Sequence, residues 1–241
     1  MGQIKLNQRV EPKNSNDYFP TPPWATRALC EYLAPVVPLG QFNAWEPACG
    51  EGHMVRPLLE YFKEVYATDL IDRRASWPEQ DGVDDFVLDW PMDDEVSPAD
   101  FIITNPPFNL AREFTTLALK RARVGVAFIV KQQILEGVTR HREVFNAMPP
   151  QLILQFAERV PMCKGRVDPD IATNQSYIWL VWLKDKALRQ AAHCDGPHPS
   201  FRWIAPGSRK RFERPEDYSF IAADAPAPAA LPLLDALESE Q

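Results

Sequence analysis

The chain has 241 residues, of which 45% are hydrophobic and 24% are charged, a soluble composition with enough length for one substantial core. Its formal net charge of −7 excludes a uniformly basic coat for nucleic acid, although a local basic face would suffice to bind phosphates. No apolar run is long enough to span a membrane, and the first nine residues lack the apolar stretch of a signal peptide, so we expect a cytoplasmic protein.

Strands and helices alternate along the chain from residue 17 to residue 184. Thr21 before Pro22 and Pro23 indicates a helix start, because a hydroxyl can cap the first turn and a proline loses no hydrogen bond there. That helix should run to about Leu33. We predict strands at 42–46, 64–69, 85–88, 101–104, 124–130, 151–156 and 176–183, and further helices at 52–62, 109–121 and 133–145.

This alternation predicts an α/β fold in which ligands bind beyond the carboxyl ends of the strands. The first four strands end at polar side chains that a single sheet would gather along one edge, namely Glu46, Asp69, Asp89 and Asn105. The sequence therefore predicts a ligand site at that edge.

Two glycines follow the first strand. Gly50 and Gly52 let the backbone turn tightly and approach a ligand. A dinucleotide-binding loop is disfavoured, because Val55 stands where its third glycine would be. Asp69 can accept hydrogen bonds from a ribose, although an aspartate at a strand end is also a common turn former.

The four cysteines lie far apart and form no Cys-x-x-Cys pair, so the sequence predicts reduced thiols rather than a disulfide framework. His193, Cys194 and His198 are too loosely spaced in a proline-rich segment to indicate a metal site. We predict no metal.

Composition divides the chain into four segments. Residues 1–16 are polar and patternless and should form a flexible N-terminal arm, and residues 17–184 should form one domain. Residues 185–220 are a basic and aromatic C-terminal extension. Residues 221–241, rich in proline, alanine and acids, should form a flexible tail.

An apolar run from Phe101 stops at Asn105-Pro106-Pro107-Phe108, where two successive prolines fix a stiff loop. This tetrapeptide resembles the catalytic motif of S-adenosylmethionine-dependent amino-methyltransferases, above all the DNA adenine-N6 methyltransferases. Residues 45–53, Trp-Glu-Pro-Ala-Cys-Gly-Glu-Gly-His, resemble the cofactor loop of that family, and residues 18–24, Tyr-Phe-Pro-Thr-Pro-Pro-Trp, resemble its N-terminal cofactor-contacting segment. The order of the motifs is that of the gamma subgroup, and the N-terminal segment is similar to that of small phage and mobile-element enzymes.

The resemblance implies a Rossmann-like class I methyltransferase fold, with helices on both faces of a seven-stranded, mostly parallel sheet whose last strand is antiparallel. It implies S-adenosyl-L-methionine as the cofactor and the N6 amine of adenine in DNA as the methyl acceptor. The catalytic residues it implies are Asn105, Pro106, Pro107 and Phe108. The cofactor-binding residues it implies are Tyr18, Thr21, Glu46, Pro47, Ala48, Cys49, Gly50, Gly52, Asp69, Leu70, Ile71, Asp89, Trp90 and Asn105.

The resemblance also implies individual roles. Glu46 would lie near the methionine amino group of the cofactor, and Thr21 would contact its carboxylate. Asp69 would hold the ribose hydroxyls, and Leu70 or Ile71 would pack on the adenine ring. Asp89 would accept from the adenine amine of the cofactor, with four close competitors for that role: Asp84, Asp85, Asp93 and Asp94.

The catalytic motif suits a planar amine. The side-chain oxygen of Asn105 and the carbonyl of Pro106 would accept both N–H bonds of the substrate amine, and Phe108 would stack on the base, a contact worth about 1 to 3 kcal/mol. Alternative substrates are an adenine or guanine amine in RNA or a glutamine amide in a protein. A non-catalytic methyltransferase-like binding module is a third hypothesis.

Basic residues near the end of the chain indicate how a nucleic acid could be bound. Fewer than 60 residues follow Lys184, so target recognition would depend on the loop at 159–175, on the basic aromatic segment at 201–214, or on a partner. A solvated surface turn is an equal alternative for that segment. We expect a monomer or weak dimer, with nucleic-acid contacts from Lys164, Arg166, Arg202, Arg209, Lys210 and Arg211.

Overall fold

The computed structural model describes residues 18–88, 99–171 and 173–219, and within them an eight-stranded sheet forms the centre of the fold. The strand order is β3-β2-β1-β4-β5-β7-β6-β8. The strands are β1 Asn43–Glu46, β2 Glu64–Asp69, β3 Gly82–Val83, β4 Phe101–Thr104, β5 Gly125–Lys131, β6 Leu152–Phe156, β7 Tyr177–Leu183 and β8 Ser200–Ile204.

β7 runs antiparallel to both of its neighbours, β5 and β6, and the other strand pairs are parallel. The mostly parallel α/β sheet and its antiparallel strand at 177–183 are therefore confirmed. The sheet has eight strands rather than seven, because residues 200–204 pair with β6 beyond the segment where we predicted strands. Residues 185–219 thus contribute a strand to the same sheet.

Helices cover both faces of the sheet, as expected. They are α1 Pro23–Leu33, α2 Val55–Leu58, α3 Ala111–Arg121, α4 Val138–Arg140 with a π-helical continuation over His141–Phe145, α5 Lys186–Ala191 and α6 Ser208–Phe212. α1 and α2 bury apolar side chains against one face, and α3 against the other. Within the described ranges, no helix combines the length and the apolar character that crossing a membrane requires.

Two predicted helices are shorter than the sequence indicated. The segment after the glycine loop is α-helical only at Val55–Leu58. Pro57 has no backbone N–H to donate, and its carbonyl accepts the N–H of Glu60, which closes a tighter turn than that of an α-helix. The segment at 133–145 is broken at Gly137, whose φ of +112° no helix accommodates. Both departures come from single residues that interrupt an otherwise helical pattern.

The predicted third strand at 85–88 is wrong. The strand in that place is β3, Gly82–Val83, which pairs with Thr68 and Asp69. The side chain of Asp85 accepts a hydrogen bond from the N–H of Val87 at 3.1 Å and so bends the chain into a turn.

Candidate functional site

A cleft opens at the carboxyl ends of β1, β2 and β4, where the sequence predicted a ligand site. Its empty volume is about 1030 Å³, part of it open to solvent, and we call it the cofactor cavity. The predicted residues that line it are Tyr18, Thr21, Glu46, Pro47, Ala48, Cys49, Asp69, Leu70, Ile71 and the tetrapeptide Asn105 to Phe108. Motifs that are far apart in sequence therefore meet at one cleft.

Gly50 and Gly52, also predicted to bind the cofactor, do not line this cavity but set the path of the loop beside it. Their φ angles are +53° and +76°, a region that other residues adopt only under strain. A Cβ atom on Gly50 would lie 2.4 Å from the Tyr18 ring, and one on Gly52 would lie 2.4 Å from the Trp77 ring. The loop is therefore closed tightly against two aromatic side chains, which only glycine permits.

Asp69 fastens the glycine loop to the end of β2. Its carboxylate accepts the N–H of Gly50 at 2.8 Å through one oxygen and the N–H of Ile71 at 2.9 Å through the other. A carboxylate offers about four lone-pair sites, so this structural role leaves acceptor capacity for a ligand hydroxyl.

Glu46 is a buried carboxylate at the floor of the cavity. One oxygen accepts the N–H of Ala48 at 3.2 Å, whereas the other is buried without a hydrogen-bond partner in the described residues. Burial raises the pKa of Glu46 to about 8, and the neighbouring Thr104 hydroxyl and the N–H of Ala48 only partly oppose that rise. A cation at this oxygen would satisfy the carboxylate and restore its charge.

Residues 18–21, here called the N-terminal strap, cross the cleft from the glycine loop to the tetrapeptide. The Tyr18 ring covers Gly50, and the guanidinium carbon of Arg73 lies 4.2 Å from the centroid of that ring. The Tyr18 hydroxyl accepts the N–H of Glu51 at 3.3 Å and lies 3.3 Å from Nδ1 of His53. Burial lowers the pKa of His53 to about 4, so its imidazole is neutral near pH 7.

The other end of the strap orients Asn105. The amide nitrogen Nδ2 donates to the carbonyl of Phe19 at 2.8 Å and to the hydroxyl of Thr21 at 3.2 Å. A carbonyl can only accept, so the amide nitrogen has to face the strap and the oxygen Oδ1 has to face away from it. Thr21 therefore binds Asn105, and the predicted hydroxyl cap is wrong because α1 has no side-chain cap.

A second cleft of about 590 Å³ lies beside the tetrapeptide, and we call it the acceptor cavity. It shares Pro106 and Phe108 with the cofactor cavity. The Lys131 ammonium lies 3.8 Å from the centroid of the Phe108 ring, and the Phe19 ring lies 5.7 Å from it. The tetrapeptide is therefore the wall between two clefts.

The loop at 159–175 packs on the strap close to Asn105. Gly165 donates its N–H to the carbonyl of Tyr18 at 2.9 Å, and the Met162 sulfur lies 3.9 Å from the Asn105 amide nitrogen. Lys164 and Arg166 flank Gly165 and therefore lie beside the strap, with Arg166 paired to Asp168 at 2.9 Å.

Three of the four predicted cations in the C-terminal segment contact the protein itself. Arg209 on α6 pairs with Glu213 at 2.9 Å, and Arg211 lies 3.9 Å from Glu31. Arg202 donates to the carbonyl of Phe201. None of the six cations predicted to bind nucleic acid lines either cavity, so their role there stays a prediction.

Sequence reasoning missed several residues of the cofactor cavity. These are Phe19, Pro20, His53, Met54, Arg73, Phe86, Leu110 and Phe114. Asp84 and Asp85 were competitors for the role predicted for Asp89, and the count of residues after β2 could not rank them. Asp89 and Trp90 lie outside the described residues.

Comparison with known proteins shows the fold. No protein-family model matches this sequence, and the search among curated proteins found no match. A solved structure from Vibrio vulnificus, provisionally described as the modification subunit of a type I restriction enzyme, matches 86% of the chain at 15% identity with a TM-score of 0.51. The match covers 52% of that subunit, so the present chain spans about half its length.

A second solved structure, from Pyrococcus horikoshii and provisionally described as an RNA methyltransferase, has a TM-score of 0.50 at 16% identity. It is matched over 74% of this chain and 94% of its own. The chain has the Rossmann-like α/β fold of methyltransferases, as predicted.

Proposed function

We propose that this protein transfers a methyl group from S-adenosyl-L-methionine to the N6 amine of adenine in DNA. The observation that carries the proposal is the orientation of Asn105 at the wall between the two cavities. Its donor end is used by the strap, and within the described residues the structure gives its oxygen Oδ1 no hydrogen-bond donor. A hydrogen-bond acceptor is thus fixed beside a cleft large enough for a nucleoside cofactor.

The cofactor cavity fits S-adenosylmethionine. The unpartnered oxygen of Glu46 supplies an anionic contact for the methionine ammonium, and Gly50 lets the Tyr18 ring, which lines the cavity, close on the glycine loop. Asp69 has acceptor capacity left for ribose hydroxyls. Asp84 and Asp85 supply acids where the adenine amine would lie, and Leu70 and Ile71 supply apolar contacts for its ring.

When bound, the cofactor supplies an electrophilic methyl group on a sulfonium, so the protein need not provide a strong base. Asn105 Oδ1 and the Pro106 carbonyl oxygen would each accept a hydrogen bond from one N–H group of the substrate amine. These two bonds would direct the lone pair of the amine at the methyl carbon. Transfer would form a C–N bond as the donor's C–S bond breaks, and the amine would then lose one proton to solvent. Positioned polar groups of this kind are each worth roughly 10²- to 10³-fold in rate.

The flat acceptor also needs an aromatic support, and Phe108 provides it at the opening of the acceptor cavity. Extruding a base from a duplex costs a few kcal/mol. Stacking of that base on Phe108 would contribute about 1 to 3 kcal/mol and so offset part of the cost. Lys164 and Arg166, on the loop that packs against the strap, are proposed to contact the phosphates.

RNA is the second candidate substrate, because the structure from Pyrococcus horikoshii is described as an RNA methyltransferase and is matched over most of its length. The sequence motifs favour DNA. The type I modification subunit also acts, by its description, within a multi-subunit restriction enzyme, so a partner that recognises the target sequence is part of the proposal.

The deciding experiment is incubation with cofactor labelled on its methyl group, followed by separation of DNA, RNA and protein. We expect label in the DNA fraction. Label confined to RNA would replace the substrate assignment, and label in protein would indicate a glutamine amide. A protein that failed to bind S-adenosylmethionine in a calorimetric titration would revive the hypothesis of a non-catalytic module.

A further inference from the structure

The acceptor cavity and the cofactor cavity lie on opposite sides of the tetrapeptide. Two of the lining residues of the acceptor cavity, Pro106 and Phe108, also line the cofactor cavity, whereas Lys131, Gln133 and Arg140 line the acceptor cavity and not the cofactor cavity. An amine bound at Pro106 with its ring on Phe108 has to enter from this side if the methyl donor fills the other.

Lys131 occupies the place that such a ring would take. Its ammonium lies 3.8 Å from the Phe108 ring centroid and 5.5 Å from that of Phe19, so it lies close to two aromatic rings. Within residues 18–88, 99–171 and 173–219, no carboxylate lies within 4.0 Å of this ammonium. A cation–π contact at a partly exposed ring is weak, so an incoming aromatic base can displace it.

The chemistry of the cavity fits a nucleotide. Its lining combines apolar groups with the cations Lys131 and Arg140, and none of the described residues that line it is acidic. Arg140 donates to the carbonyl of Gln133 at 2.9 Å, which places a second positive charge at the rim. An apolar ring with an attached anion matches this lining, whereas the uncharged amide of a protein substrate would leave both cations unused.

We propose that Lys131 is a positioning residue for the target nucleotide: it covers Phe108 in the free protein, and when the base stacks there the ammonium moves to the phosphate of the same nucleotide. This inference rests on the proposed function. Lys131 thus replaces a weak contact with the ring by a charge-assisted contact with the phosphate, which favours a nucleotide over a bare nucleoside.

The test uses 2′-deoxyadenosine and 2′-deoxyadenosine 5′-monophosphate as probes, titrated by NMR into the full-length protein. S-adenosylhomocysteine is present at saturation so that neither probe enters the cofactor cavity. Lys131→Ala removes the cation, Lys131→Arg keeps it, and Lys131→Met replaces the alanine variant if that fails to fold. Lys63→Ala is the matched control, because Lys63 is exposed and precedes β2 at the end away from the site.

The unchanged protein should prefer the monophosphate. In Lys131→Ala the nucleoside should bind roughly two- to fivefold more tightly, because no cation has to leave the ring. The monophosphate should lose its advantage. The dissociation constant of the nucleoside divided by that of the monophosphate should therefore fall by about tenfold. Lys131→Arg and Lys63→Ala should keep the ratio of the unchanged protein.

An unchanged ratio in Lys131→Ala, or equal weakening of both probes, would overturn the inference, because a purely structural lysine has no reason to distinguish them. Failure of either probe to bind the unchanged protein would overturn it as well. Failure of S-adenosylhomocysteine to bind would instead contradict the proposed function.

Discussion

Glu46→Gln should remove the pH dependence of cofactor binding. Burial raises the pKa of the Glu46 carboxyl to about 8, so in the free protein it is mostly protonated below that pH. A bound ammonium requires the carboxylate, and its charge lowers the pKa in the complex. The ionised fraction rises from about 1% at pH 6 to about a quarter at pH 7.5, so affinity should rise about tenfold per pH unit over most of that range.

Isothermal titration of S-adenosylmethionine between pH 6 and 7.5, in two buffers of different ionisation enthalpy, measures both the affinity and the protons released. The native protein should release nearly one proton per cofactor at pH 6.5. The glutamine variant should bind more weakly at pH 7.5, with a nearly constant dissociation constant and no proton release. A flat pH profile in the native protein would refute the reasoning about Glu46.

The same shift affects stability with a definite sign. A carboxyl whose folded-state pKa lies above its unfolded value stabilises the fold least at high pH, since stability is lost as pH rises from the unfolded value to about 8. The free energy of unfolding in urea should therefore fall from pH 6 to pH 8 in the native protein more than in Glu46→Gln. The variant thus gains stability relative to the native protein as the pH rises. An equal difference at both pH values would contradict it.

Two further predictions concern the glycine loop and the C-terminal contact to α1. Gly50→Ala places a Cβ 2.4 Å from the strap tyrosine at a φ of +53°, so calorimetry should show at least about tenfold weaker cofactor binding, whereas Gly40→Ala, with its nearest atom at 3.7 Å, should bind normally. Equal affinities would show that the strap does not close on the glycine. Arg27→Ala removes the cation that pairs with the buried Asp217, since Nη1 and Nη2 of the guanidinium each donate to that carboxylate at 2.8 Å, and should cost about 3 to 5 kcal/mol in urea denaturation. Arg74→Ala, which breaks an exposed ion pair, should cause no measurable change, and a comparable loss in both variants would contradict the buried role of Arg27.

The sequence predicted the centre of the sheet well, because strands buried on both faces leave continuous apolar runs. β5 and β7, Gly125–Lys131 and Tyr177–Leu183, are such strands. β8 was missed although Phe201 and Trp203 alternate with polar residues, because the cations that follow make its segment typical of a basic surface turn. The structure leaves these two rings 45% and 63% exposed, so the alternation does not mark a core-facing strand.

The location of the site could be predicted, but its internal contacts could not. Motifs at strand ends fix which residues meet, because parallel strands present their carboxyl ends at one edge. The bond from Asn105 to Phe19 joins residues 86 positions apart, and Lys131 reaches Phe108 only after β5 and the tetrapeptide are placed side by side. Local patterns carry no signal for such contacts, so the sequence predicts a helix cap and a cofactor contact for Thr21 but not its hydrogen bond with Asn105.

The central claim is that Asn105 presents an acceptor to the N6 amine of adenine beside the bound methyl donor. It is tested most directly by hydrolysing DNA after reaction with methyl-labelled cofactor and separating the nucleosides, with the native protein and with Asn105→Ala. The native protein should yield labelled N6-methyl-2′-deoxyadenosine, and the variant should yield at least about 10²-fold less while it still binds the cofactor. Equal yields from the two proteins, or label on a different nucleoside, would contradict the account.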